Sequence, residues 1–401
     1  MPESQRRIKL ATGRKKADHL LSINIFPLNR RLHIVCLDVP WPADYGGAID
    51  MFYRIESLYK AGIKIHLHYF TYNHRGNPNE LNQFCEKINT YERKTGIKGF
   101  SITKPYIVSS RINNELISNL NKDNCPVLLE GVHCTGILPE INTSNRKIVV
   151  RLHNNESAYY RYLSVSAKNV FKKIYFRFES FLLRNYESSL PKNCLYACIT
   201  RKDEEFFKNK NGLKNSFYLP AFTPYREVNS PEGIGNFCLY HGNLSVSENE
   251  KAAVWLLTKV FSKIKVPFVI AGKNPSRRVD KLAHLCQHTC LVANPSSSEL
   301  NDLIKKAHIN ILPSFSDTGI KIKLLHALFE GRHCITNEAM VNGTGLEAAC
   351  HTGGSANAIA AIVMQLHHQP FSAEEIRIRK HLLGNTFHNE ANARQLIQYL
   401  W

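Results

Sequence analysis

A chain of 401 residues is long for one domain, and two domains of roughly 150 to 200 residues each are expected. The formal net charge of +19 suits nucleic acid, an anionic membrane surface or a phosphorylated substrate as partner. The sequence has neither zinc-finger spacing nor an aromatic and glycine RNA-binding motif, which disfavours direct nucleic-acid binding. Eleven cysteines scattered singly through apolar runs indicate reduced core residues and no disulfide framework.

No segment approaches the roughly 20 apolar residues that a membrane span needs. The first 20 residues lack the apolar core of a secretory signal. We therefore expect a cytoplasmic protein. Residues 1–30 are rich in basic side chains, show little periodicity, and are predicted to form a flexible arm.

The folded part is predicted to begin with an apolar strand, residues 32–39, which leads to Gly46 and Gly47 and then to a helix. A glycine pair between a strand and a helix lets a ligand approach the backbone closely. Apolar residues spaced by three and four form one side of this helix, and Arg54 and Glu56 are predicted to face water.

Two later apolar runs of the first half, residues 126–134 and 147–157, each end in polar residues. In open parallel sheets, ligands bind beyond the carboxyl ends of the strands. A histidine there can be a core residue with a satisfied ring, but two at successive strand ends favour a site. The residues expected to gather at this edge are Glu130, His133, Arg151, His153, Asn154 and Glu156.

Residues 164–187 are predicted to form one long helix with an apolar side and several basic residues. Such a helix can contact anionic lipid headgroups. The alternative, a core helix with a solvated face, is favoured. Residues 219–235, rich in proline, glycine and polar residues, are predicted to link two domains.

The second half repeats the alternation of strands and helices, which predicts a second doubly wound sheet. Gly242, Asn243 and Lys273 follow two of its strands. The chain ends in a predicted helical tail with a break at Gly384 and Asn385.

Metal binding is not favoured at either group of candidate ligands. His66 and His68 lie on one face of a predicted strand with no third ligand near in sequence, so hydrogen bonds are the better interpretation. A second group has two-residue spacing, which is poor for a tetrahedral site on a helix. Its members are His284, Cys286, His288 and Cys290.

Residues 309–335 read as strand, loop, helix and strand. The loop ends at Gly319, and Lys321 and Lys323 lie in the first helical turn. A helix start has unpaired amides and a positive dipole end, so the segment suits a bound phosphate. An ordinary strand–helix–strand unit with solvated lysines is the alternative.

Six strings in order along the chain resemble the retaining glycosyltransferase family four, which has the GT-B fold. They are PWPADYGGAID, RLHNNES, YHGNLS, VIAGKNPS, ILPSFSDTGIKIKLLHALFEG and CITNEAMVNGTGL. The resemblance implies an α/β protein with two Rossmann-like, doubly wound parallel-sheet domains that face each other across a cleft. It implies an acceptor domain at residues 31–218, joined by a C-terminal helix at 385–401 that crosses back, and a nucleotide-sugar-binding domain at 236–384.

The resemblance also implies roles for single residues. His153 lies at the transferred sugar, and Lys321 and Lys273 stabilise the departing diphosphate. The donor-binding set is Gly46, Gly47, Gly242, Asn243, Asp317, Thr318, Gly319, Ile320, Lys323 and His326. The acceptor-binding set is Glu130, His133, Arg151, Asn154 and Glu156.

Two positions depart from the family pattern. The family's loop carries two glutamates eight residues apart, where this chain has Thr318 and His326. Asp317 lies one residue from the first of these positions. A neutral histidine accepts one hydrogen bond from the ribose diol where a carboxylate accepts two, which lowers nucleotide affinity by roughly 1 to 2 kcal/mol.

The sequence thus predicts a retaining transferase that moves a hexose from a UDP- or GDP-sugar to a glycan or lipid-linked acceptor in cell-surface polysaccharide assembly. The nucleotide-sugar is a co-substrate, and no metal or other cofactor and no nucleic acid is expected. Contact with an anionic membrane at its inner face would suit the basic charge. A catalytically weak GT-B protein that serves as a binding or scaffolding partner is the alternative.

Overall fold

The computed structural model describes residues 30–72 and 79–401. The predicted basic arm, residues 1–30, lies outside the described residues except for Arg30. The described chain forms two parallel sheets, each with helices on both faces, as the alternating pattern predicts.

The first sheet has seven strands within the described residues, in the order β3-β2-β1-β4-β5-β6-β7. Its strands are β1 (Arg31–Cys36), β2 (Lys64–Thr71), β3 (Lys87–Glu92), β4 (Val127–Glu130), β5 (Ile148–Leu152), β6 (Leu195–Cys198) and β7 (Ser216–Tyr218). Both faces are buried, because Val149 and Val150 enter separate apolar clusters on opposite sides.

The second sheet has six strands within the described residues, in the order β10-β9-β8-β11-β12-β13. Its strands are β8 (Cys238–His241), β9 (Phe268–Gly272), β10 (Thr289–Ala293), β11 (Ile309–Ile311), β12 (His333–Thr336) and β13 (His351–Thr352). Because β8 and β11 are neighbours, the loops that follow them open at the same edge.

Helices connect the strands of both sheets. Those of the first half are α1 (Gly46–Lys60), α2 (Tyr106–Ser109), α3 (Asn114–Leu120), α4 (Glu156–Ser166), α5 (Val170–Ser188) and α6 (Arg201–Asn209). Those of the second half are α7 (Ser247–Trp255), α8 (Arg277–His284), α9 (Ser297–Lys306), α10 (Ile322–Glu330), α11 (Glu338–Val341), α12 (Ala356–Leu366), α13 (Ala373–Thr386) and α14 (Asn389–Leu400).

Two predicted helices differ from the structure. The single helix predicted over residues 164–187 is two helices, because Asn169 accepts a hydrogen bond from the Lys172 N–H at 3.1 Å and starts α5 afresh. The break predicted at Gly384 lies further on, between α13 and α14, where His388 caps the second helix.

The last helix, α14, returns to the first domain as predicted. Its residues Ala393, Leu396 and Ile397 are buried in the same apolar cluster as Met51 and Ile55 of α1. Within residues 30–72 and 79–401, no helix is long and apolar enough to cross a membrane.

Candidate active site

The loop between β11 and α10 is held in shape by hydrogen bonds. Ser314 donates its N–H to Asn337 Oδ1 at 2.9 Å, and its hydroxyl donates to Glu248 Oε1 at 2.5 Å. The hydroxyls of Ser316 and Thr318 bond each other at 3.0 Å. The Thr318 side chain is buried and bonds within the loop. Its backbone, and not its side chain, would therefore contact the sugar nucleotide at this position.

Gly319 brings the two domains together. It has φ +59°, and a β-carbon there would lie 2.1 Å from Asn154 Oδ1 and 2.8 Å from the His153 carbonyl oxygen. Only glycine fits a left-handed position this crowded. The next residue, Ile320, packs against the core of the second domain and anchors the loop from that side.

Two helices of different domains begin side by side at this contact. A β-carbon on Gly46, the first residue of α1, would lie 3.3 Å from Cγ1 of Ile322, the first residue of α10. The N-cap residues Tyr45 and Lys321 make no side-chain capping bond, and the Tyr45 hydroxyl instead donates to Asp38 Oδ2 at 3.1 Å. Two positive helix ends therefore converge, an arrangement suited to a diphosphate. Gly47, the second residue of α1, also lies at this helix start.

The two predicted lysines of this loop have different surroundings. Lys321 donates to the Thr318 carbonyl at 2.6 Å, and burial lowers its pKa against the opposing pull of Glu248. Lys323 donates to Asn249 Oδ1 at 2.8 Å and lies over the Tyr240 ring. Burial lowers the pKa of Lys323 to about 8. The Lys323 ammonium is thus bound to α7 through Asn249, whereas the Lys321 ammonium is bound to the loop through Thr318.

Ion pairs cross between the domains on both sides of the loop. Lys273 Nζ lies 3.5 Å from Asp44 Oδ2, and Lys202 Nζ of α6 lies 2.5 Å from Asp317 Oδ2. The hydrogen bond from Lys202 lowers the pKa of Asp317. Exposed pairs of this kind are weak, so a diphosphate could compete for Lys273.

Gly242 and Asn243 lie beside Lys273 at the strand ends of the second sheet. A β-carbon on Gly272 would lie 2.0 Å from the Gly242 carbonyl oxygen, so the loops after β8 and β9 touch. Asn243 Oδ1 accepts from the N–H and hydroxyl of Ser245 at 3.1 and 2.7 Å. The Asn243 side chain therefore shapes its own loop.

His326 lies on α10 in a partly buried, aromatic setting. Its ring stacks on Tyr225 with centroids 5.0 Å apart, and Nε2 lies 3.0 Å from Asn301 Oδ1. Burial lowers the pKa of His326 to about 4, against a raising effect of Glu330. The ring is therefore neutral near neutral pH, as the predicted single ribose contact requires.

His153, at the end of β5, is held between two buried carboxylates. Its Nε2 lies 3.0 Å from Glu130 Oε2, and its Nδ1 lies 3.5 Å from Asp50 Oδ2. Only 12% of the His153 side chain is exposed. The two carboxylates fix the ring plane of His153 beside Gly319.

Two buried arginines complete this network. Arg54 donates to Asp50 Oδ2 at 2.8 Å and, through its two other nitrogens, to both oxygens of Glu130. Arg151 donates to Asp50 at 3.1 Å and to the carbonyl of Pro220, also at 3.1 Å. Burial acts to raise the pKa of Asp50, but Arg151 and Arg54 outweigh it and hold that pKa below its usual range.

One prediction is wrong here: Arg54 was expected in water but is fully buried and paired. Glu130 and Arg151, predicted to bind the acceptor, are also fully buried and paired. Arg54 and Arg151 hold the two carboxylates that contact His153. The sequence reasoning also missed Asp50, although its spacing of four from Arg54 on one helix was a usable signal.

Metal-binding atoms of Asp50, Glu130 and His153 lie within 4.8 Å of one another. Two guanidiniums already balance the two carboxylates, since Arg54 and Arg151 pair with them. This set consequently suits an ion-pair network better than a divalent cation.

The remaining predicted acceptor residues lie close to His153. The Nδ1 of His133 is buried without a hydrogen-bond partner, and burial holds its pKa well below the usual range. Asn154 Nδ2 lies 3.5 Å from Glu156 Oε1. Burial and the neighbouring Glu187 raise the pKa of Glu156 to about 8, so this carboxyl is largely protonated near neutral pH.

Residues 235–369, which contain the loop, α10 and the Gly242 and Lys273 loops, match the family model of glycosyl transferases group 1. The matched segment covers most of the second half of the chain and is similar to that family. A Klebsiella pneumoniae protein, described as an uncharacterized 44.6 kDa protein in cps region, is 26% identical over 333 residues, covering 79% of this chain and 84% of that one.

Solved structures similar to the whole chain share its two-domain GT-B fold. Sucrose-phosphate synthase from Thermosynechococcus elongatus aligns with a TM-score of 0.66 at 16% identity, over 92% of this chain and 98% of that one. TarM aligns with a TM-score of 0.64 at 12% identity, over 94% and 99%. An S. aureus TarM mutant in complex with fondaparinux, α-GlcNAc-glycerol and UDP aligns with a TM-score of 0.63 at 12% identity, over 93% and 99%. The predicted fold class is confirmed.

Proposed function

We propose that this protein transfers a hexose from a UDP- or GDP-sugar to a glycan or lipid-linked acceptor, with retention of the anomeric configuration. The observation that carries the proposal is the convergence of the α1 and α10 N-termini beside Lys321 and His153. The segment that matches the model of glycosyl transferases group 1 supplies α10 and Lys321. UDP in the complex of a TarM mutant supports a uridine donor.

In this proposal the protein acts mainly by electrostatics. The negative charge that develops on the leaving diphosphate is stabilised by the amides at the two helix starts, by Lys321 and by Lys273. The leaving phosphate accepts the proton of the acceptor hydroxyl, which attacks from the same face. His153, held between Asp50 and Glu130, lies at the transferred sugar and supports the transition state there.

The acceptor would enter from the first domain, past His133 and Asn154 at the strand ends. The relative from a cps region supports a role in cell-surface polysaccharide assembly. A lipid-linked acceptor in that process carries phosphate at a membrane face, which suits a strongly basic protein working at the cytoplasmic side.

The test is release of free UDP or GDP from a panel of UDP- and GDP-hexoses with free and lipid-linked glycan acceptors. His153→Ala and Lys321→Ala should each reduce turnover by about 100-fold or more, with unchanged circular dichroism. Exposed His284→Ala and Lys380→Ala are the matched controls and should retain turnover. Unchanged turnover in the first pair would overturn the site assignment.

The second candidate function, a catalytically weak GT-B protein that binds a partner, is favoured by Thr318 and His326. The Thr318 hydroxyl is bonded within the loop, and His326 already bonds Asn301. Thermal denaturation with UDP, GDP and their hexose derivatives separates the two functions. A ligand at 100 times its Kd stabilises by about 2.7 kcal/mol, so absence of any shift would favour the binding protein.

The outer face of α5 supports a membrane contact. Phe171, Ile174, Phe178 and Phe181 lie on this face, and Phe171 is 82% exposed. The core position favoured for this side of the helix is therefore wrong for these four residues, whereas Leu182 on the same side and Leu183 are buried. The adjoining loop is tied to α5 by the Tyr106 N–H, which donates to Glu179 Oε2 at 2.8 Å.

Apolar and basic residues are interleaved across this surface. The loop adds Ile97, which is 94% exposed, as well as Phe100 and Ile102. Exposed cations flank the apolar side chains, as apolar insertion beside anionic headgroups requires. They are Lys98, Lys104, Lys168, Lys172, Lys173, Arg177 and Arg184.

Vesicle sedimentation tests this contact. The protein should bind vesicles with anionic lipid more tightly than neutral ones, and more weakly as salt rises. Phe171→Ser with Ile174→Ser should reduce binding by about tenfold or more. Leu285→Ser, an exposed leucine of the second domain, is the control. Equal binding by all variants would refute the α5 surface.

A further inference from the structure

A second group of ionisable side chains lies at the opposite end of the second sheet from the transfer site. His333 begins β12, His351 begins the edge strand β13, and Glu375 lies in the first turn of α13. One metal-binding atom from each lies within 4.8 Å of the others. We propose that these residues form a structural zinc site, independent of the proposed transferase activity.

The distances fit a small tetrahedral ion. His333 Nδ1 lies 3.2 Å from Glu375 Oε1, and His351 Nε2 lies 3.9 Å from the same oxygen. Zinc bound to nitrogen and oxygen at about 2.0 to 2.1 Å places neighbouring ligands about 3.3 Å apart. A small rotation of the half-exposed His351 side chain would bring the longer distance into this range.

The hydrogen bonds around His333 leave one nitrogen for a cation. Its Nε2 lies 3.0 Å from the Gln369 carbonyl oxygen and must donate to it. In the neutral ring, Nδ1 then carries a lone pair, and this buried atom has no hydrogen-bond partner. A lone pair that faces a carboxylate oxygen at 3.2 Å is repulsive unless a proton or a metal ion lies between them, and a metal ion can be bound by both atoms. A backbone carbonyl that orients a histidine in this way is typical of metal sites.

Neighbouring contacts fix the other ligands. Glu375 Oε2 accepts from the N–H of Ser372 at 2.9 Å and from its hydroxyl, so Oε1 remains for the metal. His308 packs edge-on against His333, but its two nitrogens already bond Gly235 and Leu366. His308 is therefore a packing residue and not a ligand.

The ligand set selects the kind of ion. Two imidazoles and one carboxylate suit zinc and neighbouring transition metals, whereas calcium and magnesium prefer oxygen ligands. His351 is half-exposed and Glu375 is 25% exposed, so an ion can enter from solvent and a water can fill the fourth position. Burial lowers the pKa of His351, Glu375 raises it, and Arg379, whose charge also opposes a bound cation, lowers it. The Arg379 guanidinium donates to the carbonyl of Gly331.

An ion here would join the last strand of the sheet to the helix that leads back to the first domain. β13 has two residues and pairs only with β12 among the described strands. A cross-link through His333, His351 and Glu375 would fasten this short edge strand and α13 together. We expect it to raise thermal stability without changing sugar transfer.

Zinc titration of the full-length protein after chelation and dialysis tests the site. The wild type should bind one zinc per chain and melt at a higher temperature when zinc is present. His351→Ala and Glu375→Gln should each weaken zinc affinity by at least about tenfold. Gln keeps the capping hydrogen bonds of Glu375, so the loss would reflect the missing carboxylate.

His284→Ala is the matched control, because His284 is exposed and lies near Cys286 and Cys290 in sequence, a group with metal-binding residue types that spacing disfavours. It should leave zinc affinity and the zinc-dependent melting shift unchanged.

The cobalt-substituted protein tests the ligand set. Cys334 and Cys350 are the sequence neighbours of His333 and His351, and the protein should lack the intense thiolate absorption band that would appear if either cysteine were a ligand. Wild-type zinc affinity in both site variants, no zinc binding at all, or a thiolate band would each overturn the proposal.

Discussion

Thr318 and His326 occupy the two positions at which the family carries glutamates, and the structure gives each a different status. Thr318 is buried and hydrogen-bonds within its loop. The neutral His326 ring stacks on Tyr225 and bonds Asn301. The departure from the family pattern is therefore accommodated by packing, and its main consequence should be weaker binding of the ribose.

His326→Glu should restore a carboxylate that accepts two ribose hydrogen bonds. We expect UDP or GDP affinity to rise by about tenfold, equivalent to about 1.4 kcal/mol. Isothermal titration with the nucleotide measures this, and His284→Glu is the exposed control. Unchanged or weaker affinity would show that the ribose is not bound at this position.

Glu156 should make stability depend on pH. Burial and Glu187 raise its pKa from the ordinary 4.5 to about 8 in the folded protein. A raised folded pKa contributes stability that is fully present below 4.5 and is lost as pH rises through about 8. Glu156→Gln should thus raise the melting temperature by about 2–4 °C near pH 9 and change it little near pH 5. The exposed Glu140→Gln is the control; the same profile in both variants would contradict the assignment.

At the scale of elements, the starts of α1 and α10 and the end of β5 meet around Gly319. The fit is tight, since Gly319 has φ +59° and its α-carbon faces the Asn154 side chain. The same three elements supply the helix amides and His153. Sugar transfer should therefore depend on this contact as much as on any charged side chain.

Gly319→Ala should separate the two domains at the site. The β-carbon meets both the left-handed backbone penalty and Asn154, so we expect a stability loss of about 1–3 kcal/mol and a loss of turnover. Gly384→Ala is the control, because that glycine lies inside α13 with nothing within 4 Å of the added carbon. It should stabilise by about 0.5–1 kcal/mol. Normal turnover in Gly319→Ala would argue against the tight contact.

At the scale of the whole molecule, one buried charge network joins elements that are far apart in the chain. Asp50 of α1 contacts Arg54, Arg151 of β5 and the N–H of Phe222 between the domains. Arg151 also donates to the carbonyl of Pro220. The orientation of His153 and the path of the connecting segment therefore rest on the same carboxylate.

Asp50→Ala should be severely destabilising, because it leaves two buried guanidiniums without their shared carboxylate. We expect a loss of about 3–5 kcal/mol, measured by urea unfolding. Glu374→Ala, which removes an exposed ion pair with Arg377, is the control and should change stability little. A loss as small as that of the control would mean that water replaces Asp50 at the arginines.

The sequence by itself determined the alternation of strands and helices, two doubly wound sheets, the loop and helix around Gly319, and the position of His153 at a strand end. These follow from apolar periodicity and turn residues, which act over a few residues. Tertiary structure alone decided the burial of Arg54 and Arg151 and the exposed aromatic face of α5. It also decided the pairing of His333 with Glu375. The partners of Arg54 and Arg151 lie 76 and 101 residues away, and a local pattern cannot report which distant surface will cover a side chain.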